Sequence, residues 1–217
     1  MKTNRMQAVY DQIAEEFAGV NANMPPELTA DAELFLDLVG PGTHVLDLGC
    51  GAGRDMAWLE NRGTTVVGSD LSVGMLAQAR RRARGSLVQA DMRRLPFQTG
   101  CFQGVWCCAA LLHLPKVDAP CALGEVHRVL TPGGALLLAV QEGIGEGWER
   151  TTRYGAPIER FFARYRTEEM TTLLVESGFA IHDHTANSAE SRHWLNFIAT
   201  AWGAQARLTV QPFGGEA

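Results

Sequence analysis

Between His44 and Val140 short apolar segments alternate with segments of helical spacing, and this alternation limits the fold more than any other feature. The apolar segments are His44–Leu48, Thr64–Gly68, Leu87–Ala90, Phe102–Cys108 and Ala135–Val140. Each has the length of a strand. Apolar runs with helices between them predict a parallel sheet buried on both faces by crossover helices. Helices are predicted over Arg54–Asn61, from a Ser72 cap with Met75, Leu76 and Ala79 on one side, and from an Asp118 cap with Leu123, Val126, Val129 and Leu130 on one face. Ligands of such sheets lie at the carboxyl ends of the strands, where strand order reverses.

The flanks extend this unit. Met6, Val9, Tyr10, Ile13 and Phe17 share one face of a helix predicted from an Asn4 cap to Phe17. The Pro25-Pro26 pair separates it from a second helix, near Leu28 to Val39. Past the fifth strand, Gln141 to Arg166 reads as a long loop with a hinge-like Gly143–Gly147 run. A helix capped by Thr167 and ended by Gly178 follows. Strands at Phe179–Thr185 and His193–Ala201 come next, then an irregular tail after Trp202. With 217 residues, 46% of them apolar, the chain suffices for one sizeable core and is too apolar for a disordered one.

The most informative stretch joins the first strand to its helix: Val45-Leu46-Asp47-Leu48-Gly49-Cys50-Gly51-Ala52-Gly53-Arg54. Glycines there let the chain turn sharply and let a ligand approach the main chain. A dinucleotide fingerprint wants a third glycine where Arg54 stands. Asp47, two residues before the glycines, would repel a pyrophosphate but could attract a ligand ammonium or a polar ribose face. Asp70 ends the second strand, where a carboxylate accepts hydrogen bonds from ribose hydroxyls. Asp91 ends the third, placed to accept an adenine amino group, with Leu71 and Met92 against the faces of the base. For a ligand that is cationic or neutral near the loop and carries a ribose, S-adenosylmethionine fits better than NAD.

The ordered set VLDLGCGAGRD, VVGSDLSVGML, ADMRRLPF, CFQGVWCCAALLHL and EVHRVLTPGGALLLAV resembles the class I S-adenosylmethionine-dependent methyltransferases. With YDQIAEEFA, SGFAI and WLNFIATAW, the likeness covers most of residues 9 to 201. It implies an α/β fold: a Rossmann-like three-layer sandwich, its seven-stranded sheet mostly parallel with the last strand inserted antiparallel, under an N-terminal helical cap. It implies one domain over residues 1–217: cap 1–42, cofactor-binding core 43–140, substrate-side loop 141–166, C-terminal helix and strands 167–201, tail 202–217. Cofactor contacts are implied at Asp47, Gly49, Cys50 and Gly51 for the methionine end, at Asp70, Leu71 and Met75, at Asp91 and Met92 for adenine, and at Cys107. Tyr10 of the cap is implied to face the cofactor. Gln103 departs from the aspartate usual in the family, far from the transferred methyl. There is no Asn/Asp-Pro-Pro-Tyr/Phe stretch after the fourth strand, which argues against methylation of DNA-base or glutamine amino groups by that device.

The expected reaction is methyl transfer to O, N, S or C of a small molecule, with S-adenosyl-L-homocysteine as product. Methylation of tRNA or protein, or S-adenosylmethionine binding without catalysis, are the alternatives. His113, just past the fourth strand, is the candidate base, against the plainer reading of a loop-capping histidine. Glu142, after the fifth strand, is a weaker candidate, against a solvated acid. Arg153, Tyr154 and Tyr165 are candidate acceptor contacts, since arginines clamp carboxylates and phosphates, against a solvated lid surface. The Arg80–Arg84 run suits the negative end of its helix better than nucleic acid, and a net charge of −5 disfavours nucleic acid further. His182, His184 and His193 lack converging acids or thiols, so no metal is expected. Met56, Trp58, Trp106 and Trp194 are expected in the core. Five cysteines, an odd number, with no apolar leader and no membrane-length apolar run, predict reduced thiols in a cytoplasm and no membrane.

Overall fold

A computed structural model describes residues 2–189 and 192–203. The expected tail after Trp202 therefore lies almost wholly outside the described residues. The strands of the main sheet are β1 (His44–Leu48), β2 (Thr65–Asp70), β3 (Ser86–Gln89), β4 (Phe102–Cys108), β5 (Leu130–Gln141), and, beyond a separate hairpin of β6 (Glu146–Thr151) and β7 (Ile158–Ala163), β8 (Phe179–Ala189) and β9 (Arg192–Ala201). The seven strands run in the order β3-β2-β1-β4-β5-β9-β8. The first five pair in parallel, and β9 is inserted antiparallel between β5 and β8. The parallel part is the sheet the alternation predicts, and the whole is the Rossmann-like α/β sandwich that the family resemblance implies.

Side chains alternate across the sheet and divide the core in two. On one face Leu46, Val105, Leu136 and Leu138 pack under helix α6 (Ala119–Val129), through Leu123 and Val126, and helix α7 (Thr167–Glu176), through Met170 and Leu174. On the other face Val45, Trp106, Ala135 and Leu137 pack under α3 (Thr29–Val39), through Phe35, and α4 (Arg54–Glu60), through Met56 and Leu59. Trp106 is fully buried, stands edge-on to Phe35, and donates from Nε1 to Asp55 at 3.1 Å. Strand order reverses between β1 and β4, and the crevice lies at the carboxyl ends of the strands there.

Several local expectations give way. The first helix is two: α1 (Lys2–Gln12), which starts before Asn4, and α2 (Ala14–Val20). Ser72 caps α5 (Val73–Arg82), accepting from the Met75 amide at 3.0 Å. Asp118 precedes α6 but makes no cap bond; its carboxylate accepts from Arg93 at 2.9 Å instead. Thr167 is the first residue of α7, and Glu169 accepts from the Arg166 amide before it. Residues 141–166 are not a loop. The glycine run leads into β6, and the β6–β7 hairpin folds back over α1, where the Phe161 amide meets Met6 and Arg5 pairs with Glu159.

Candidate active site

The crevice opens into a cavity of about 550 Å³ that runs from the glycine loop to the hairpin. Its floor is backbone. Ser69 O accepts from the amides of Gly49 (2.7 Å) and Cys50 (3.0 Å), pinning the loop to the end of β2. Gly49 has φ +74°, and a Cβ there would stand 2.3 Å from the Ala110 Cβ, so only glycine lets the loops after β1 and β4 meet. Gly53, at φ +78°, would press a Cβ to 2.9 Å from the Ala79 backbone. Ala109, which lines the cavity, is the described non-glycine residue with positive φ (55°), a backbone conformation that needs support from its surroundings.

Asp70 organises this floor. Its Oδ2 accepts from the Gly51 amide (2.9 Å) and its Oδ1 from the Ser72 amide (2.8 Å). Burial raises its pKa, and these amides work against that rise. A carboxylate has about four acceptor positions, so these amides leave capacity for a ligand's hydroxyl. Ser69, at the cavity, has an Oγ without a partner among the described residues. A buried polar atom left unpaired beside a cavity suits a polar ligand. Leu71, Met75 and Met92 line the same lobe and supply apolar surface for a base. These residues fit S-adenosylmethionine.

Gly49, Cys50, Gly51, Asp70, Leu71, Met75, Asp91, Met92, Tyr10, His113, Arg153 and Tyr154 all line the cavity. Four anticipated residues do not. Asp47 is 2% exposed behind the loop, beneath α4, with Oδ2 unpartnered. Burial first, then the Asp55 charge, drives its pKa well up, against the Arg54 charge and the Met56 amide. Cys107 lies in the core on the α6 face, where burial lifts its thiol to about 12; its neighbour Cys108, pointing to the opposite face, reaches the cavity. Glu142 is exposed and bridges to Tyr165, whereas Gln141, one position earlier, is buried at the cavity. Tyr165 is buried in the core near Lys116. Asp91 lines the cavity, but Arg93 takes both its oxygens and lowers its pKa. Trp194, expected in the core, lines the cavity too.

The far wall is built of side chains. The Phe161 carbonyl lies 2.7 Å from His113 Nδ1. A carbonyl only accepts, so Nδ1 carries the proton, and in a neutral ring Nε2 is bare. The Tyr10 hydroxyl, 2.6 Å away, therefore donates to Nε2. Arg160 donates from Nη1 to the Tyr10 oxygen at 3.3 Å. Burial, reinforced by the Arg160 charge, pushes the His113 pKa down to about 3, against the pull of the Phe161 carbonyl. Burial pushes Tyr10 up to about 12, though Arg160 opposes this. Arg160 escaped the sequence reading; an unbroken apolar run, Phe161-Phe162-Ala163, beside it was the available signal.

The other highlighted groups have ordinary partners. Arg82 donates to Ala18 O, and the Arg84 amide to Glu60. His182 bonds Thr200 and His193 bonds Ser188. Among the described residues no three His, Cys, Asp or Glu converge as metal ligands.

The family described as "Methyltransferase domain" matches residues 45–134. The chain is similar to methyltransferase GfsG of Streptomyces halstedii, 37% identical over 46% of this chain and 38% of that one. It is similar to a demethylmenaquinone methyltransferase of Beutenbergia cavernae, 34% identical over 76% of this chain and 66% of that one. It is also similar to an uncharacterized methyltransferase of Synechocystis, 32% identical over 66% of this chain and 69% of that one. The match thus spans less than two thirds of the length of the first two. In fold it resembles a methyltransferase of Methanosarcina mazei (TM-score 0.72, 18% identity, 83% and 99% covered). It likewise resembles the 1,6-didemethyltoxoflavin-N1-methyltransferase of Burkholderia thailandensis, crystallised with 1,6-didemethyltoxoflavin and S-adenosylhomocysteine (TM-score 0.66, 22% identity, 82% and 79% covered). The chain belongs to the class I S-adenosylmethionine-dependent methyltransferase family.

Proposed function

We propose that this protein transfers a methyl group from S-adenosylmethionine to an O, N, S or C nucleophile of a small molecule. The observation that carries this reading is the single continuous cavity, with a backbone-built floor at Asp70 and a side-chain wall at Tyr10, His113 and Arg160. Helix α1 and the β6–β7 hairpin, both of this chain, close that wall, which favours a small acceptor over a polymer.

In this reading Gly49, Cys50 and Gly51 hold the methionine end, Asp70 the ribose, and Leu71, Met75 and Met92 the adenine. The cofactor, when bound, supplies an activated methyl for in-line displacement. The chain's own work is then to orient the acceptor, exclude water and manage its proton. His113 holds the Tyr10 hydroxyl in place through Nε2. A proton relayed through the Tyr10 hydroxyl to Nε2 would leave a buried imidazolium beside Arg160, which burial disfavours, so the acceptor's proton goes to solvent instead. With His113 so weakly basic, the wall favours acceptors that ionise readily. Arg153 and Tyr154 flank the same lobe. Five free cysteines suit a reducing compartment, and we infer a cytoplasmic setting. Among the described residues no helix is long and apolar enough to cross a membrane.

The test is methyl transfer from labelled S-adenosylmethionine to fractionated metabolites. Label in a small-molecule fraction is expected. Label only in RNA or protein, or cofactor binding without turnover, overturns the reading.

A further inference from the structure

Arg160 is 5% exposed and lines the cavity. Its contacts are to neutral groups. Nη1 reaches the Tyr10 hydroxyl, and the guanidinium carbon lies 5.1 Å from the Tyr154 ring centroid and 5.0 Å from that of Phe162. Nε is buried with no acceptor among the described residues. The neighbouring carboxylate, Glu159, points outward to Arg5. The Tyr10 proton is committed to His113, and the His113 Nδ1 proton to Phe161, so neither donates to a ligand. Of these three wall residues, Arg160 is the one that keeps donors for a ligand. A buried charge in a folded protein is normally paired, and an arginine fork is matched by a carboxylate or another planar oxyanion. The flat rings of Phe17, Tyr154 and Phe162 line the cavity around it.

We propose that Arg160 anchors an anionic oxygen of the methyl acceptor, so that the acceptor is a planar, apolar molecule carrying a carboxylate or an ionised phenol or enol. This deepens the methyltransferase reading and rests on it. An acceptor that arrives ionised needs little from a weakly basic His113. When a phenol ionises against the guanidinium, its O–H bond breaks heterolytically and the proton goes to solvent.

The experiment loads the protein with S-adenosylhomocysteine and titrates 2-naphthoate, its neutral isostere 2-naphthamide, and 4-nitrophenol, whose colour reports ionisation. We expect either naphthoate to bind about tenfold tighter than naphthamide, which identifies a carboxylate, or nitrophenol to bind as the coloured anion below its solution pKa, which identifies a phenol. Arg160→Gln is expected to abolish either preference, and Arg160→Lys to restore part of it. No preference for an anion in the wild type, or a preference undiminished in Arg160→Gln, overturns the proposal. The wild-type ratio needs no variant, so an unfolded Arg160→Gln does not blunt the test. Failure of S-adenosylhomocysteine to bind overturns the methyltransferase reading instead, and the first titration reads it separately.

Discussion

The two ends of the cavity are built in different ways. The floor is assembled from residues close in sequence: Gly49 and Cys50 bond to Ser69, and Gly51 and Ser72 bond to Asp70. Its specificity lies in backbone geometry. The wall joins Tyr10, His113 and Arg160, from α1, the turn after β4 and the β6–β7 hairpin, and its specificity lies in side-chain atoms. The floor depends on its glycines and on the one side chain their backbone bonds, Asp70. A wall of side chains is changed by single substitutions that leave the fold intact.

The sharpest way to break this contrast is Gly49→Ala. A Cβ at φ +74° colliding with Ala110 should destabilise the fold by about 3 kcal/mol. A denaturant midpoint close to that of the wild type would show that the floor is more adaptable than a backbone-built site should be.

At the wall, His113 is neutral when folded. Its pKa lies near 3 in the folded protein and near 6.5 in the unfolded chain, so the unfolded chain binds the proton first. The contribution is full above pH 6.5 and is lost as pH falls toward 3. Relative to His113→Gln, the wild type should lose up to ~3 kcal/mol across that window, a figure kept low because the ring is half-buried. Parallel pH–stability curves for the two proteins would remove the neutral-ring account.

Asp70→Ala should weaken S-adenosylhomocysteine binding by about 1–3 kcal/mol through lost hydrogen bonds to the carboxylate. Tyr10→Phe keeps the ring but leaves His113 Nε2 without its donor. It should cost about 1 kcal/mol of stability and lower turnover more than cofactor affinity. A Tyr10→Phe enzyme with wild-type turnover would detach the hydroxyl from the chemistry.

The same contrast explains what could be read from the sequence. The parallel sheet and the floor were legible because strand, glycine loop and acid follow one another at fixed spacing; the antiparallel insertion was legible only through the resemblance to the methyltransferase family. The misplacements of Cys107 and Glu142 came from strand parity. At the ends of β4 and β5 one residue's difference sends Cys108 rather than Cys107, and Gln141 rather than Glu142, into the cavity, and composition does not set that phase. The hairpin was hidden because β6 (Glu-Gly-Trp-Glu-Arg-Thr) is half-buried nearly throughout and shows no alternation of period two. Without the hairpin, Arg160 had no predicted place beside Tyr10, 150 positions away.

The most direct test of a floor that holds the cofactor and a wall that holds the acceptor is calorimetric titration of S-adenosylhomocysteine into the wild type, Asp70→Ala and Arg160→Gln. The account predicts binding to the wild type, a loss of about fivefold or more in Asp70→Ala, and affinity within about twofold of wild type in Arg160→Gln, since Arg160 contacts no floor residue. Equal losses in both variants, or none in Asp70→Ala, would contradict it.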